Sequence, residues 1–399
     1  MTKDNILKFK KTDCYGCTAC EAVCPTNAIT FRQDEEGFYY PTLDEKACVH
    51  CGACVKVCNI EEETLKKTLN EEPEHVYAVW SKSRESVLKS TSGGAAYHVS
   101  RHFVENGGVV YGVAWTEHFV AAHVRVDTPE HIDSLRGSKY VQSKLSGIFT
   151  HIRDDLKQGR RVLFIGTPCQ VGGLKSFIKG GLRDKLYTID LVCHGTPSIK
   201  MFKAYIDYLE KKENAQVVQF KFRGKKHSGW RAYEQIGYSN GKMTQYVSGH
   251  RSYFKGFYSA FYSKSRCYNC FYSCENRTGD VTLSDFWGSE KSDKRLAIER
   301  KYGYNFFACN TEKGCELLEN IKDTMVIVPS SYEVAVKGDV RFRHSDAYPP
   351  VRNVIYSELD AIGYEGIARK YLRSWDSKLK ALIPDFLINI IREIQCRIR

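Results

Sequence analysis

The chain has 399 residues, of which 42% are hydrophobic and 27% charged, so we expect a globular protein of two or three domains. No apolar run approaches the roughly 18 residues that cross a bilayer, and the N-terminus lacks the pattern of a secretion signal, so we expect a cytoplasmic protein. The formal charge is +12, but no nucleic-acid-binding motif accompanies it, so nucleic acid is not an expected partner.

Charge and cysteine are unevenly distributed along the chain. Residues 1–75 hold 9 Lys and Arg against 14 Asp and Glu, whereas the remainder holds 50 against 33. A basic body suits anionic cofactors, an acidic redox partner or a membrane surface. Half of the 16 cysteines lie in the first 58 residues, and in a reducing compartment such density indicates metal binding rather than disulfides.

The N-terminal cysteines form two runs of similar spacing. The first run reads C-x2-C-x2-C-x3-C-P, and the second repeats this spacing without the proline. The pattern is typical of two-cluster 4Fe–4S ferredoxins, in which the fourth cysteine of each run binds the other cluster. We expect cluster one to be bound by Cys14, Cys17, Cys20 and Cys58. We expect cluster two to be bound by Cys24, Cys48, Cys51 and Cys54.

The segment between the two runs predicts a small hairpin. Strands are expected at 28–31 and 38–41 around a turn at 34–37, as in a miniature ferredoxin fold. The alternative is a pair of zinc sites, but zinc sites typically take two C-x2-C pairs, which would leave the third cysteine of each run idle.

A charged segment at 61–75 predicts an exposed linker, and a larger body follows it. A strand at 75–80, a helix at 95–105 opened by Ser92-Gly93-Gly94, and a strand at 109–115 predict a βαβ-like unit. Glycines at a helix start can present backbone amides to a phosphate, although they are as often only a tight turn.

Two more buried strands are predicted at 161–165 and 186–192. Each ends in a loop that contains Gly-Thr-Pro and one cysteine, Cys169 in the first loop and Cys193 in the second. Ligands of open α/β sheets bind at the carboxyl ends of strands, so the two loops are expected to face a common site. Neither G-x-G-x-x-G nor G-x-x-x-x-G-K-[ST] is present, which disfavours a standard dinucleotide fold or a nucleotide triphosphatase.

A third group of cysteines lies further along the chain. Cys267, Cys270 and Cys274 form C-x2-C-x3-C, which lacks one ligand of a cube. Cys193 is expected to supply that ligand, with Cys169 as the alternative. A structural zinc or buried thiols also stay open for this incomplete motif. His194, next to Cys193, is a candidate proton donor to substrate, the plainer alternative being a hydrogen-bonded loop histidine.

Several body motifs occur in a recognisable order. They are Ser92-Gly93-Gly94, Gly137-Ser138-Lys139-Tyr140-Val141-Gln142-Ser143, Gly166-Thr167-Pro168-Cys169-Gln170, Cys193-His194-Gly195 and Asp285-Phe286-Trp287-Gly288. In this order the body resembles the family of beta subunits of coenzyme F420-reducing hydrogenase and dehydrogenase, over roughly residues 75–345. It is also similar to ferredoxin-dependent reductases such as 7-hydroxymethyl chlorophyll a reductase.

The resemblance implies FAD bound in the body with a cluster near it. The implied FAD contacts are Ser92, Gly93, Gly94, Ser138, Lys139, Tyr140, Thr167 and Gln170. The implied ligands of the third 4Fe–4S cluster are Cys267, Cys270, Cys274 and Cys193. No residue identifies a deazaflavin pocket, so coenzyme F420 itself is the alternative to another organic substrate.

Two basic segments complete the chain. Residues 221–231 combine cations, glycine and aromatic residues, which suits either a phosphate clamp or a solvated hairpin. In the tail, apolar residues on one face predict a basic amphipathic helix that packs on the body or contacts a membrane or partner.

The expected architecture is α+β. We expect a two-cluster ferredoxin domain at 1–60, a linker at 61–75, a mixed α/β FAD and iron–sulfur body at 76–345, and a helical basic tail at 346–399. The expected activity is electron transfer between the clusters and FAD, with a redox protein or reduced ferredoxin and an organic substrate as partners. A non-catalytic electron-transfer subunit of a larger complex is the alternative.

Metal analysis of protein purified under anaerobic conditions tests the cysteine assignments. We expect about eight irons per chain if two cubes are bound and about twelve if three are bound, with matching inorganic sulfide. Zinc in place of iron would contradict the ferredoxin interpretation.

Overall fold

The computed structural model describes residues 5–225, 230, 233–247, 252–291 and 293–372. Strands are β1 (Ile29–Gln33), β2 (Tyr39–Leu43), β3 (His75–Ser81), β4 (Val109–Trp115), β5 (Ala121–Val126), β6 (Val162–Gly166), β7 (Leu186–Leu191), β8 (Val217–Lys221), β9 (Tyr233–Tyr238), β10 (Met243–Val247), β11 (Val281–Asp285), β12 (Asn305–Cys309) and β13 (Met325–Ser330). Helices are α1 (Ala19–Val23), α2 (Ala53–Lys56), α3 (Glu62–Lys66), α4 (Arg84–Lys89), α5 (Ala95–Glu105), α6 (Ile148–Lys157), α7 (Pro168–Phe177), α8 (Ile199–Glu213), α9 (Tyr253–Tyr258), α10 (Lys294–Glu299), α11 (Glu312–Glu319), α12 (Tyr332–Gly338) and α13 (Val351–Tyr371).

Two of the predicted segments fall partly or wholly outside these ranges. The basic amphipathic helix expected after residue 372 lies outside the described residues, as do residues 226–229 and 231 of the basic stretch. Within the described ranges, no helix has the length and apolar character to cross a membrane.

The N-terminal domain contains the predicted hairpin, formed by β1 and β2 in antiparallel pairing. Its turn is closed by Asp34, whose carboxylate accepts hydrogen bonds from the backbone N–H groups of Glu36 and Phe38 at 3.1 and 2.9 Å. Helices α1 and α2 begin after Thr18 and Gly52, which both have left-handed backbone angles. Each cysteine run therefore crosses from a loop into a short helix. The two strands are confirmed, each shifted by one or two residues toward the C-terminus.

The body is built on an eight-stranded mixed sheet with the order β13-β3-β12-β11-β7-β6-β4-β5. Strands β11, β7, β6 and β4 are parallel, and antiparallel strands flank them. On one face Leu163 packs in a cluster with Val99 of α5, and on the other Phe164 packs with Leu174 of α7. Burial on both faces explains the continuous apolar runs of these strands. Their carboxyl ends meet along one edge, where open sheets bind ligands.

The predicted βαβ-like unit differs in one respect from the observed fold. Helix α5 and strand β4 have the predicted bounds, and β3 runs parallel to β4. However, β12, β11, β7 and β6 lie between these two strands in the sheet. Local sequence patterns locate strands, but they do not show that later strands insert between earlier ones.

An aromatic layer covers the end of β4. Trp115 stacks on Phe202 of α8 with ring centroids 5.3 Å apart, and Phe220 of β8 packs edge-on against Phe202 at 5.2 Å. Tyr205 of α8 contacts Tyr364 of α13 at 4.7 Å. These contacts join the small sheet β10-β9-β8 and the helices α8 and α13 to the body. The predicted mixed body with a C-terminal helix is confirmed.

The segment 61–75 contains more structure than an exposed linker. It includes helix α3, in which Leu65 is buried. Asn70 donates its backbone N–H to the Arg277 carbonyl and its side-chain amide to the Gly279 carbonyl, both at 2.7 Å. The segment thus adheres to the body instead of spanning open solvent.

A buried ion pair connects the end of β7 to the loop that follows the third cysteine group. Asp190 and Arg277 are fully buried, with Nη2 of the arginine 2.8 Å from the carboxylate. The carboxylate also accepts the backbone N–H groups of Thr278 and Gly279 at 2.8 Å. Burial alone raises the pKa of Asp190, but the guanidinium and these N–H groups hold it below its ordinary value. Arg277 in turn donates to the Tyr272 carbonyl at 3.3 Å.

We expect Asp190→Ala to lower the free energy of unfolding by about 3–5 kcal/mol, because it leaves the Arg277 guanidinium buried without its counter-ion. Chemical denaturation followed by circular dichroism measures this. The control is Glu333→Ala, which removes an exposed pair with Lys337 and is expected to leave the unfolding midpoint unchanged. Equal midpoints for the two variants would contradict the importance of the buried pair.

Candidate iron–sulfur centres

The four thiols predicted to bind cluster one lie together, with Cys20 and Cys58 buried and Cys14 and Cys17 half-buried. Burial, followed by the charge of neighbouring thiolates, holds the pKa of Cys20 well above its usual range. These neighbours include Cys14, Cys17 and Cys58. Burial likewise raises the pKa of Cys17 to about 12. Thiolates crowded in a buried site repel one another, so this site fits a group that supplies positive charge, as the irons of a cube do.

The thiols predicted to bind cluster two line a surface cavity of about 310 Å³, a volume that includes space open to solvent. Cys51 and Val49 at this cavity are exposed. Although burial alone raises the pKa of Cys24, hydrogen bonds from Thr26 and from backbone N–H groups of the following residues lower it. The second group is therefore accessible from outside, in contrast to the first.

Binding of a cube does not require several side chains to converge on one metal ion. Among residues 5–225, 230, 233–247, 252–291 and 293–372, no three His, Cys, Asp or Glu side chains converge on a single metal-ion position. A cube binds each thiolate through a different iron, so its ligands surround the cube and do not meet at one point.

A second cavity lies at the carboxyl ends of β6 and β7. This strand-end cavity measures about 830 Å³, including space open to solvent, and the thiols that line it are Cys169, Cys193, Cys267 and Cys270. Burial raises the pKa of Cys193 to about 11 and that of Cys267 to about 12, and thiolates of this group add to the effect. Cys274 is not part of the cavity lining. Its thiol donates a hydrogen bond to the Asn276 carbonyl at 3.1 Å. The structure thus brings both alternatives, Cys169 and Cys193, to one cavity.

Local geometry positions these thiols. Cys169 lies in the first turn of α7, whose start is capped by Gln170, since its side-chain oxygen accepts the Thr167 N–H at 2.9 Å. Gly195 has φ +97°, and a Cβ there would lie 2.5 Å from Ser263 Oγ. Glycine at this position therefore permits the loop after β7 to approach the third cysteine group closely.

The cluster-one loop, which we define as residues 14–20, borders the strand-end cavity directly. Tyr15 and Gly16 of that loop line the cavity, and Arg266 donates to the Tyr15 hydroxyl at 3.0 Å. On the other side, a Cβ at Gly173 would lie 2.7 Å from Cys17 Sγ. Helix α7 therefore presents a cavity thiol in its first turn and contacts the cluster-one loop one turn later.

The residues of the implied FAD set at 92–94 are occupied in internal contacts. A Cβ at Gly93 would lie 2.2 Å from the Val79 carbonyl, so glycine here permits the start of α5 to approach β3. Gly94 has φ +95°, and the side chain of Asn305 accepts the first N–H of α5 at 3.1 Å. The Ser92 hydroxyl donates to a backbone carbonyl at 2.6 Å. These residues shape the loop at the end of β3.

The residues of the implied FAD set at 138–140 are also occupied in internal contacts, whereas the last two residues of the set line the strand-end cavity. Lys139 donates to four backbone carbonyls, and burial lowers its pKa to about 7. Ser138 donates its N–H to Thr91 Oγ1 at 2.9 Å, and the Tyr140 ring packs among phenylalanines at 5.1–5.3 Å. The remaining two residues of the set line the strand-end cavity and are Thr167 and Gln170.

His194 lies in the wall of the strand-end cavity beside Cys193. Its Nε2 is 3.3 Å from an Asp339 carboxylate oxygen, and its Nδ1 is buried without a hydrogen-bond partner among the described residues. Although burial raises the pKa of Asp339, the histidine holds it below its ordinary value. A proton-donor role for His194 stays a prediction.

Sequence reasoning missed several residues of this junction. Lys264 and Arg266 line the cavity and are buried, although lysine and arginine are rarely buried without partners. The available signal for these residues was their proximity to predicted ligands. Lys264 and Arg266 come just before Cys267, and Tyr15 lies between two cluster-one cysteines. Nothing local, however, indicates that these two segments meet.

Comparisons with known proteins agree with both halves of this arrangement. Residues 13–61 match the family described as "4Fe-4S dicluster domain", and residues 159–333 match the family that comprises the C terminus of the coenzyme F420 hydrogenase/dehydrogenase beta subunit. The F subunit of F(420)H(2) dehydrogenase from Methanosarcina mazei is 21% identical over 346 residues, which are 82% of this chain and 90% of that protein. Ferredoxin-type protein NapF of Haemophilus influenzae is 39% identical over 49 residues, which are 12% of this chain and 28% of that protein.

A solved structure of the F420-reducing NiFe hydrogenase complex from Methanosarcina barkeri, determined for xenon derivatization, contains a similar chain. It aligns at 14% identity with a TM-score of 0.47, covering 73% of this chain and 94% of that one. The two family matches and the full-length relative confirm the resemblance predicted from the motifs. The chain is an iron–sulfur electron-transfer protein related to these beta subunits.

We expect Gly173→Ala to disturb cluster one, because the added methyl group would overlap Cys17 Sγ and force α7 and the cluster-one loop apart. The expected result is a loss of up to about four irons per chain, the content of one cube. The matched control is Gly181→Ala, whose Cβ would meet only Asp184, at 3.7 Å. Equal iron content in both variants, with unchanged cluster spectra, would contradict close contact at this position.

Proposed function

The chain joins a 4Fe–4S dicluster domain to a domain of the family of coenzyme F420 hydrogenase/dehydrogenase beta subunits, and from this premise we propose an FAD-dependent iron–sulfur oxidoreductase. It moves electrons between the N-terminal clusters and FAD and thereby reduces or oxidises an organic substrate. The observation that carries this proposal is the junction at which the cluster-one loop forms part of the thiol-lined strand-end cavity.

The strand-end cavity is proposed to hold a third 4Fe–4S cluster. Its four thiols are half-buried, and burial together with their mutual charge raises the pKa of each of Cys169 and Cys267, which fits a cationic iron core. Because Cys169 lines the cavity and Cys274 does not, the proposed ligands are Cys169, Cys193, Cys267 and Cys270. This set replaces Cys274 of the implied family set with Cys169.

FAD is proposed to bind at the same edge of the sheet. When bound, it exchanges single electrons with a cluster and an electron pair with an organic molecule. The loops at 92–94 and 138–140 are held by internal hydrogen bonds, so they supply a fixed backbone surface. Thr167 and Gln170 place the start of α7 beside the cavity. Their polar groups are bonded to each other and to Ser143, so they form a fixed polar wall at this edge.

Cluster two is the proposed point of exchange with a redox partner such as reduced ferredoxin. Its cavity opens at the surface, and Cys51 there is exposed. Cluster one, in contrast, lies between this surface and the strand-end cavity. The order of sites from the surface inward is therefore cluster two, cluster one, third cluster. Membrane contact through the tail stays a prediction, since those residues lie outside the described ranges.

Coenzyme F420 is a second candidate for the organic substrate. The observation that favours it is the name of the M. mazei relative, which is an F420H2 dehydrogenase subunit. An anaerobic assay that follows the deazaflavin absorbance decides this point. Turnover of the isolated holoprotein supports F420, whereas activity that returns only with a co-purifying protein supports the alternative of an electron-transfer subunit.

We expect Cys169→Ser to remove the third cluster, lowering the iron content by about four per chain and slowing reduction of bound FAD by reduced ferredoxin at least about tenfold. Iron analysis and anaerobic stopped-flow absorbance measure the two effects. The matched control is Cys274→Ser, for which both values are expected to equal wild type. If Cys274→Ser loses the iron and Cys169→Ser does not, the ligand set implied by the family resemblance is correct instead. Absence of bound FAD from anaerobically purified protein would contradict the proposed function.

A further inference from the structure

Lys264 is a fully buried lysine without a carboxylate partner. Only 1% of its surface is exposed. Within the described part of the chain, no Asp or Glu oxygen lies within 4.0 Å of its Nζ. Asp34 acts on it from a greater distance but is paired with Lys11 at 3.0 Å. An ammonium in this position is costly unless other negative charge compensates it.

The direct contacts of the ammonium are neutral. Nζ donates to the Tyr39 carbonyl at 2.9 Å and lies 3.2 Å from the centroid of the Tyr40 ring. Both groups come from β2 of the N-terminal domain. The backbone of Lys264 is fixed as well, since its N–H donates to the Thr196 carbonyl and its own carbonyl accepts the Cys267 N–H, both at 2.9 Å. The lysine is therefore held in place between the domain and the body.

The anionic neighbours of Lys264 come from two different cysteine groups. Cys14 belongs to the cluster-one thiols, and Cys267 and Cys169 belong to the strand-end cavity. A Cβ at Gly16 would lie 3.5 Å from Nζ, and Lys264 itself lines the cavity. The ammonium therefore lies where the cluster-one thiols adjoin the thiols of the strand-end cavity.

We propose that the ammonium of Lys264 is a shared counter-charge of cluster one and the third cluster, and that it raises the reduction potentials of both. The part that concerns the third cluster rests on the proposed function. Reduction adds negative charge to a cube, and a nearby cation in a buried site stabilises that added charge. The principal anionic neighbours of Lys264 include no thiol of cluster two, so we expect the potential of cluster two to be unaffected.

A redox titration of anaerobically purified holoprotein, followed by electron paramagnetic resonance, tests the proposal. Lys264→Met removes the charge, Lys264→Gln also keeps a donor for the Tyr39 carbonyl, and Lys264→Arg keeps the charge. In the Met and Gln variants, the midpoint potentials of cluster one and the third cluster are expected to fall, while that of cluster two stays constant as an internal reference. The Arg variant is expected to remain closer to wild type.

Each outcome is decisive. Unchanged potentials in the Met and Gln variants, or an equal shift of all clusters, would overturn the proposal. Loss of iron from the Met and Gln variants but not from the Arg variant supports it, because the charge is then required for binding. Loss of iron from all three variants overturns it, because the site then requires the shape of lysine. If wild type contains only two clusters, the proposed third cluster fails, yet the shift of cluster one still tests Lys264.

Discussion

The buried pair of Asp190 and Arg277 holds together the parts of the molecule on which the site depends. Asp190 is the penultimate residue of a central strand, and Cys193 lies two residues beyond the end of that strand. Arg277 follows the third cysteine group and binds carbonyls of the loop that carries it. The connector also reaches this point, since Asn70 binds the Arg277 carbonyl. One desolvated ion pair thus fixes the sheet and the cysteine loop relative to each other at the point where the connector binds, and its cost of burial is offset only because each partner has further hydrogen bonds.

Features determined by short stretches of sequence were predicted well. The cysteine spacing identified the ferredoxin domain because three cysteines of each run bind one cube and the fourth binds the other, and the hairpin between the runs has its own turn signal at Asp34. Helix α5 and strand β4 kept their predicted bounds, since glycines at 93–94 and 107–108 delimit the helix and the apolar run defines the strand. The order of motifs along the body identified the family.

Features that depend on distant segments were not predictable. The insertion of four strands between β3 and β4 has no local signature. The Cys169 loop was expected to face the same site as Cys193, but the sequence did not show that Cys274, which completes the local motif, lies outside the cavity lining, where the chain after Cys270 turns toward Arg277. Lys139 was an FAD contact implied by the family resemblance, but four backbone carbonyls surround its ammonium. Satisfied or unsatisfied hydrogen bonding becomes visible only in the folded structure.

The contact between Gly173 and Cys17 has a consequence for how the ferredoxin domain operates. A carrier domain on a flexible tether reaches its acceptor by diffusion, and the length of its linker sets an effective concentration. Here the glycine permits contact at atomic distance, and the connector is bound along the body instead of moving freely. The distance between the N-terminal ferredoxin domain and the strand-end cavity is therefore fixed by the fold. Changes in linker length would alter the folding of this protein before they altered the frequency of encounters.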